Sequence, residues 1–139
     1  MFKKTVLENG LRIITAPMQG TNTVTVLVLC GTGSDYESRD ISGISHFLEH
    51  MFFKGTKNRP TPDVIKHELD GIGSVSNAFT IHEITGYHIK AGKSYLDQSL
   101  SLLADIYNNS LLSAEEIDRE RQVIVEEMHK DRDTPTLYI

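Results

Sequence analysis

Two histidines and a glutamate lie close together in the sequence, at His46, Glu49 and His50. In a helix, residues four apart project from the same face one turn apart, so the two imidazoles would point in the same direction. At about 100° per residue, the carboxylate of Glu49 falls within the same arc. Two imidazoles can hold Zn²⁺, and a carboxylate beside them can accept a proton from water that the metal activates. The spacing therefore predicts the chemistry of a zinc hydrolase.

The alternative is that the two histidines are ordinary residues of a helix. The residues that would fill the opposite side of this helix are apolar: Ile44, Leu48, Met51 and Phe52. Polar groups on a helix that is otherwise so apolar need partners, which disfavours the alternative. The order His-x-x-Glu-His inverts the commoner His-Glu-x-x-His and is the signature of the inverzincin class of metallopeptidases.

A catalytic zinc takes three protein ligands and a water, so the two histidines need a third partner. The last predicted helix offers Glu120, Glu126 and Glu127. The apolar stripe of this helix consists of Ile117, Ile124 and Met128. Glu126 points away from the stripe and is predicted to be a solvated surface charge. Glu120 and Glu127 lie together on the flank of the stripe, where a carboxylate pair is costly unless a cation meets it. Geometry thus leaves either of them as the third ligand, with a charged shoulder of an amphipathic helix as the alternative.

The elements that must position these residues can be read from turn and capping signals. Asn9-Gly10 predicts a hairpin, Thr61-Pro62 opens a helix, and Ser113 with Glu116 forms a capping box at the start of another helix. The predicted strands cover residues 5–7, 11–15, 23–30, 74–80 and 84–90, and the predicted helices lie within 40–55, 61–71, 94–108 and 113–130. This order predicts an α+β domain, with helices packed on one face of a mixed or antiparallel sheet. The aromatic residues Phe53, Phe79 and Tyr87 are expected in its core.

Composition narrows the class of protein further. The chain has 139 residues, 39% of them hydrophobic and 24% charged, which suits one soluble domain. The net charge of -5 argues against a nucleic-acid partner. The N-terminus lacks the apolar run of a signal peptide, and no stretch is long enough to span a membrane, so we expect a cytoplasmic protein without a membrane partner. Residues 131–139 leave a long helix and stop on apolar residues, which suggests a truncated chain.

Extended blocks of sequence resemble the M16 (pitrilysin-like) metallopeptidases, which include bacterial relatives of the mitochondrial processing peptidase. The similarity runs nearly from end to end. The matching blocks are NGLRII at 9–14, GISHFLEHMFFKGT at 43–56, GSVSNAFTIHEITGY at 73–87, AEEIDRERQVIVEEM at 114–128 and DTP at 133–135. The implied fold is the one that M16 enzymes share with LuxS-type metallohydrolases.

The resemblance implies a function as well as a fold. It implies that His46 and His50 bind Zn²⁺, that Glu127 is the third ligand, and that Glu49 is the general base. Glu120 matches an acidic position that assists catalysis. The implied activity is that of a zinc-dependent endopeptidase that hydrolyses peptide bonds of extended peptides, in which Glu49 activates the water.

The resemblance also implies partners. Asn77 and Ala78 match the strand that pairs with the substrate backbone, a mode of recognition known as β-augmentation. Family members are longer, so residues 1–139 correspond to the N-terminal zinc-binding domain, and the expected partner is a C-terminal half or a partner subunit. The missing half would leave the substrate-pairing edge open, from which we expect weak activity of this chain alone and a tendency to form homo-oligomers.

Two other functions are compatible with parts of the sequence. S-ribosylhomocysteine lyases share the His-x-x-Glu-His motif but use a downstream cysteine as third ligand, whereas Cys30 lies upstream of the motif here. A non-catalytic scaffold subunit occurs in paired members of the family, but such subunits usually lose motif residues, and none is lost in this chain.

Overall fold

The computed structural model describes residues 1–132, with side chains described as far as Lys130. The strands are β1 (Lys3–Val6), β2 (Arg12–Thr15), β3 (Thr23–Cys30), β4 (Val75–Thr80) and β5 (Thr85–Gly92). The helices are α1 (Ile44–Met51), α2 (Pro62–Gly71), α3 (Leu96–Asn109) and α4 (Ala114–Arg132). The α+β class and the order of elements are confirmed. The DTP block at 133–135 and the apolar end of the chain lie outside the described residues.

The described strands form two antiparallel sheets. β3, β5 and β4 make a three-stranded sheet with β5 in the centre, while β1 and β2 form a separate hairpin. The hairpin turns around Gly10, whose φ of 85° favours glycine, and the backbone N–H of Leu7 donates to the carbonyl of Leu11 at 2.9 Å. The free side of β4 carries no neighbouring strand within the described residues, so the polar groups along that side are open to pairing.

The core lies between one face of the three-stranded sheet and the helices α2 and α3. Its buried side chains are Ile65, Leu69, Ile72, Tyr87, Ile89, Ala91, Leu102, Leu103 and Ile106. Tyr87 and Phe53 contribute to this core or pack against it, as the sequence predicts. Phe79 was expected there and is instead 38% exposed, because side chains of a strand alternate between faces and Phe79 lies on the outer one. Its ring covers Gly86, where a Cβ would come within 2.4 Å of the Phe79 Cζ.

The start of α1 is fixed by a residue of the preceding loop. Gly43 occupies the N-cap position in a left-handed conformation, and it has no side chain that could bond to the helix. The carboxylate of Glu37 instead accepts hydrogen bonds from the backbone N–H groups of Gly43, at 2.6 Å, and Ser45, at 2.8 Å. The bonds from Ser45 and Gly43 lower the pKa of Glu37. The first turn of α1, which carries His46, is therefore held by two backbone hydrogen bonds to one carboxylate.

The loop that follows α1 is anchored to α3 by a buried carboxylate. Asp105 is 5% exposed and accepts hydrogen bonds from Thr56 at 2.5 Å, Asn58 at 2.7 Å, Arg59 at 2.7 Å and Asn109 at 2.8 Å. Burial alone would raise the pKa of Asp105, but these hydrogen bonds outweigh it and lower the pKa to about 2. Both ends of α1 are thus connected to polar anchors.

The helix α4 packs across α1. The hydroxyl of Ser113 accepts a hydrogen bond from the backbone N–H of Glu116 at 3.3 Å, but the carboxylate of Glu116 pairs with Arg119, so only one half of the predicted capping box forms. The predicted apolar stripe is partly wrong, since Met128 is 53% exposed. The contact with α1 is made by the flank that carries Glu120, not by the end of the stripe.

Within the described residues, none of the helices combines the length and apolar character needed to cross a membrane. The cytoplasmic location stays a prediction.

Candidate metal centre and active site

Three side chains from two helices converge in front of the sheet. The Nε2 atoms of His46 and His50, one turn apart on α1, lie 3.2 Å from each other. The Oε2 atom of Glu127, on α4, lies 3.8 Å from the Nε2 of His46 and 3.6 Å from that of His50. These three residues offer one ligand atom each, all within 4.8 Å of one another. Because α4 packs across α1, Glu127 reaches the two histidines although it lies 77 positions after His50 in the sequence.

The donor set fits a zinc ion. Ligands about 2.0–2.1 Å from a tetrahedral Zn²⁺ lie roughly 3.3 Å apart, close to the three separations described above. Two imidazole nitrogens and one carboxylate oxygen are also one of the donor sets of catalytic zinc sites, which leave a fourth position for water. The side chains of His46 and Glu127 are each 45% exposed, so this fourth position can be reached from solvent.

The second nitrogen of His50 is held by Glu120. The Nδ1 of His50 lies 2.8 Å from the Oε1 of Glu120, and the Nζ of Lys54 lies 2.6 Å from the Oε2 of the same carboxylate. Burial alone would raise the pKa of Glu120, but the hydrogen bonds and charges of Lys54 and His50 outweigh it and lower this pKa. An ionised carboxylate can only accept, so it places the ring proton of His50 on Nδ1 and leaves Nε2 free to bind a metal.

Glu49 stands beside the histidines and is held from the sheet. The hydroxyl of Thr80, at the end of β4, donates a hydrogen bond of 2.6 Å to the Oε2 of Glu49. The carboxylate lines a cavity of about 290 Å³ together with His50, Phe53, Ser76, Asn77 and Ala78. Glu49 therefore faces the same cavity as His50, one of the three converging residues, and a carboxylate in this position can exchange a proton with water.

The same cavity opens along the free edge of β4. Asn77 and Ala78 form part of its wall, and the backbone N–H of Ala78 is bonded to the side-chain Oδ1 of Asn77 at 3.0 Å. A local side-chain bond of this kind satisfies the N–H while no strand pairs with it. The edge can accept an extended peptide next to Glu49 if this bond is exchanged for one to the peptide.

The structure brings together the residues that the sequence singles out for the site. Glu127 converges with the Nε2 atoms of both histidines, whereas Glu120 contacts the Nδ1 of His50. Glu126 is exposed, as predicted. Cys30 lies outside the cluster and donates a hydrogen bond to the Tyr107 hydroxyl at 3.1 Å, which removes the feature that a lyase of the related type would need.

Two residues near the site were missed by sequence reasoning. Lys54 lies four positions after His50, a spacing that could have signalled a shared face even though α1 ends at Met51. Thr80 lies two positions beyond Ala78 on the same side of β4, and period-two alternation could have pointed to it.

Comparison with known proteins decides the family. The sequence profile described as "Insulinase (Peptidase family M16)" matches residues 12–137. The chain belongs to peptidase family M16. An M16 relative from Rickettsia felis, named an uncharacterized zinc protease, is 42% identical over 134 residues, covering 96% of this chain and 32% of the relative. The probable mitochondrial-processing peptidase subunit beta of Arabidopsis thaliana is 44% identical over 126 residues, covering 91% of the chain and 24% of that protein.

Solved structures of two bacterial proteases share the fold. A protease from Helicobacter pylori superposes with a TM-score of 0.90 at 38% identity, covering 96% of this chain and 32% of that one. The periplasmic protease PqqL from Escherichia coli gives a TM-score of 0.85 at 30% identity, covering 92% and 15%. The chain thus spans about a third or less of the length of these relatives.

Proposed function

We propose that the chain carries the catalytic zinc centre of an endopeptidase that hydrolyses extended peptides. The observation that carries the proposal is the convergence of His46, His50 and Glu127 beside Glu49, at the open edge of a strand. Membership of a family whose relatives are named zinc proteases supports the choice of metal.

The proposed chemistry divides between the metal and one carboxylate. When bound, Zn²⁺ acts as a Lewis acid that makes water a nucleophile near neutral pH. His46, His50 and Glu127 would hold it, and the bond from Glu120 to His50 keeps the ring turned towards it. Glu49 accepts the proton of the attacking water and later donates it to the leaving amine, so one residue serves as base and then acid.

The proposed substrate is a peptide added as a strand to β4. Backbone pairing gives affinity for any extended sequence, while side chains contact the cavity wall. In this proposal the N–H of Ala78 exchanges its bond to Asn77 for one to the peptide carbonyl, and Asn77 is then free to contact the peptide itself. Such pairing aligns a scissile bond with Glu49 along a wall of the 290 Å³ cavity.

A second half is part of the proposal. The relatives are three or more times longer than the part that this chain matches, and one relative is named as a subunit. We propose that a C-terminal half, or a partner subunit, closes over the peptide. Orientation of reactants is worth about 7–11 kcal/mol in well-positioned systems, so the 139-residue chain alone should hold zinc and yet cleave slowly.

The test is a fluorogenic peptide assay with controlled metal content. The chain is stripped by chelation, reloaded with one equivalent of Zn²⁺, and assayed alone and after mixing with a C-terminal half supplied as a separate polypeptide. We expect activity that requires zinc and rises strongly on mixing. Full activity of the metal-free mixture would exclude a zinc mechanism, and no activity in the loaded mixture would favour a scaffold subunit.

A further inference from the structure

The hydroxyl of Thr80 links the three-stranded sheet to Glu49 by a hydrogen bond. It is 2.6 Å from the Oε2 of the carboxylate, within the range of charge-assisted O–H···O⁻ bonds, which are shorter and stronger than neutral ones. The contact joins residues 31 positions apart, on β4 and α1. Within the described residues, Glu49 makes no other hydrogen bond through its side chain, so Oε1 has no hydrogen-bond partner there, and the residue lines the cavity.

Proton counting shows which way this bond runs. A hydroxyl has one proton to donate. Thr85, paired with Thr80 across the strands, gives its proton to the backbone carbonyl of Thr32 at 3.0 Å. The two threonine hydroxyls are 3.5 Å apart, at the outer limit of a hydrogen bond. The hydroxyl proton of Thr80 is therefore available to Glu49, which is much closer at 2.6 Å. An ionised carboxylate can only accept hydrogen bonds, so in the bond between them Thr80 is the donor and Glu49 the acceptor.

The side chain that makes this bond is itself well held. Threonine is branched at Cβ and has restricted χ1 rotation. Thr80 ends β4 on the half-buried side of the strand, and Thr85 beside it is only 2% exposed. The restricted side chain of Thr80, packed beside the buried Thr85, therefore limits where its hydroxyl can lie and so where one oxygen of Glu49 is held.

We propose that Thr80 is a positioning residue for the general base: its hydroxyl fixes the rotamer of Glu49 and presents Oε1 to the water and to the leaving amine. The inference rests on the proposed function, because it assigns a task to Glu49 in that reaction. It predicts a role in the chemical step and none in metal binding, since Thr80 contacts neither histidine nor Glu127.

The first experiment separates these effects in the zinc-loaded protein with its C-terminal half present. Thr80→Val keeps the shape and removes the donor. We expect kcat to fall about 10- to 100-fold, the scale of a misplaced catalytic group, with KM and zinc affinity close to those of the wild type. Thr80→Ser keeps the donor and should restore most of kcat. Thr25→Val, at an exposed threonine of β3, is the matched control and should change nothing.

A second experiment needs no activity and no variant of Thr80. In the metal-free wild-type chain, NMR should show a hydroxyl proton of Thr80 that is shifted downfield and protected from exchange with water. Glu49→Ala should abolish this protection. If the wild type shows no such proton, the contact does not exist and the inference is overturned, even if Thr80→Val proves unable to fold.

The remaining outcomes are also decisive. Wild-type kcat in Thr80→Val, a kcat in Thr80→Ser as low as in Thr80→Val, or zinc loss in proportion to activity would each refute a positioning role. An inactive zinc-loaded wild type would instead refute the proposed function, while the protected hydroxyl proton would still show that Thr80 holds Glu49.

Discussion

Replacing Glu120 by glutamine should weaken zinc binding although Glu120 is not among the converging ligands. The carboxylate accepts from two donors, the Nδ1 of His50 at 2.8 Å and the Nζ of Lys54 at 2.6 Å. An amide has one accepting oxygen and one donating nitrogen, so it can satisfy only one of the two. If the oxygen turns to the ammonium of Lys54, the amide nitrogen faces Nδ1 and drives the ring proton to Nε2, the atom that should bind zinc.

The expected loss of zinc affinity follows from the loss of one of these two hydrogen bonds. Removing the carboxylate partner of a metal-binding histidine typically costs 10- to 100-fold in metal affinity, or about 1.4–2.8 kcal/mol at 1.4 kcal/mol per tenfold. His50 has only 18% of its side chain exposed, so the ring cannot simply turn to water for a new partner. Lys54 is 28% exposed and can be solvated, which keeps the cost in overall stability small.

The assay is a competitive zinc titration against a chromogenic chelator, with thermal unfolding of the metal-free protein as a check on the fold. Glu115→Gln is the matched control, since that carboxylate lies on the exposed side of the same helix and should leave affinity unchanged. A Glu120→Gln protein with wild-type affinity for zinc would show that the ring of His50 needs no carboxylate, and the account of its tautomer would be wrong.

Two further predictions concern the third ligand and the anchor of α1. Glu127→Gln should lower zinc content sharply while its neighbour Glu126→Gln should not, measured by elemental analysis after dialysis; equal loss would contradict the ligand assignment. Asp105→Asn should lower the free energy of unfolding by about 2 kcal/mol at pH 7, because a neutral amide replaces the ionised carboxylate that accepts hydrogen bonds from Thr56, Asn58, Arg59 and Asn109. Since the pKa of Asp105 falls from the ordinary 3.8 to about 2 in the folded state, stability from this group is complete above pH 4. About 2 kcal/mol of it is lost as pH falls from 4 towards 2, so denaturant titrations of wild type and variant should converge there.

The parts of the fold that sequence reasoning predicts are those with strong local signals. The β-branched run at 23–30 has the bounds of β3, and Thr61 caps α2 with its hydroxyl on the N–H of Val64, because capping and strand propensity act over a few residues. Phe79 was assigned to the core wrongly, since hydrophobicity alone does not say which face of a strand is covered.

The candidate site shows the same division. Helical spacing alone places His46 and His50 on one face, but it leaves Glu120 and Glu127 as equal candidates for the third ligand, because both lie on the same flank of α4. Only the crossing of α4 over α1 separates them, by bringing one carboxylate to Nε2 and the other to Nδ1. Periodicity could have placed Lys54 and Thr80 on the faces that carry the site, but their partners, Glu120 and Glu49, are set by tertiary packing.

The most direct test of a zinc centre with a separate general base is Glu49→Gln, measured for zinc content and for peptide hydrolysis in the presence of the C-terminal half. The substitution removes the proton acceptor and leaves the ligands in place. We predict one zinc per chain and a rate reduced at least about 100-fold, the lower end of general-base catalysis. Zinc-loaded Glu49→Gln protein that hydrolyses peptides at the wild-type rate would contradict the account.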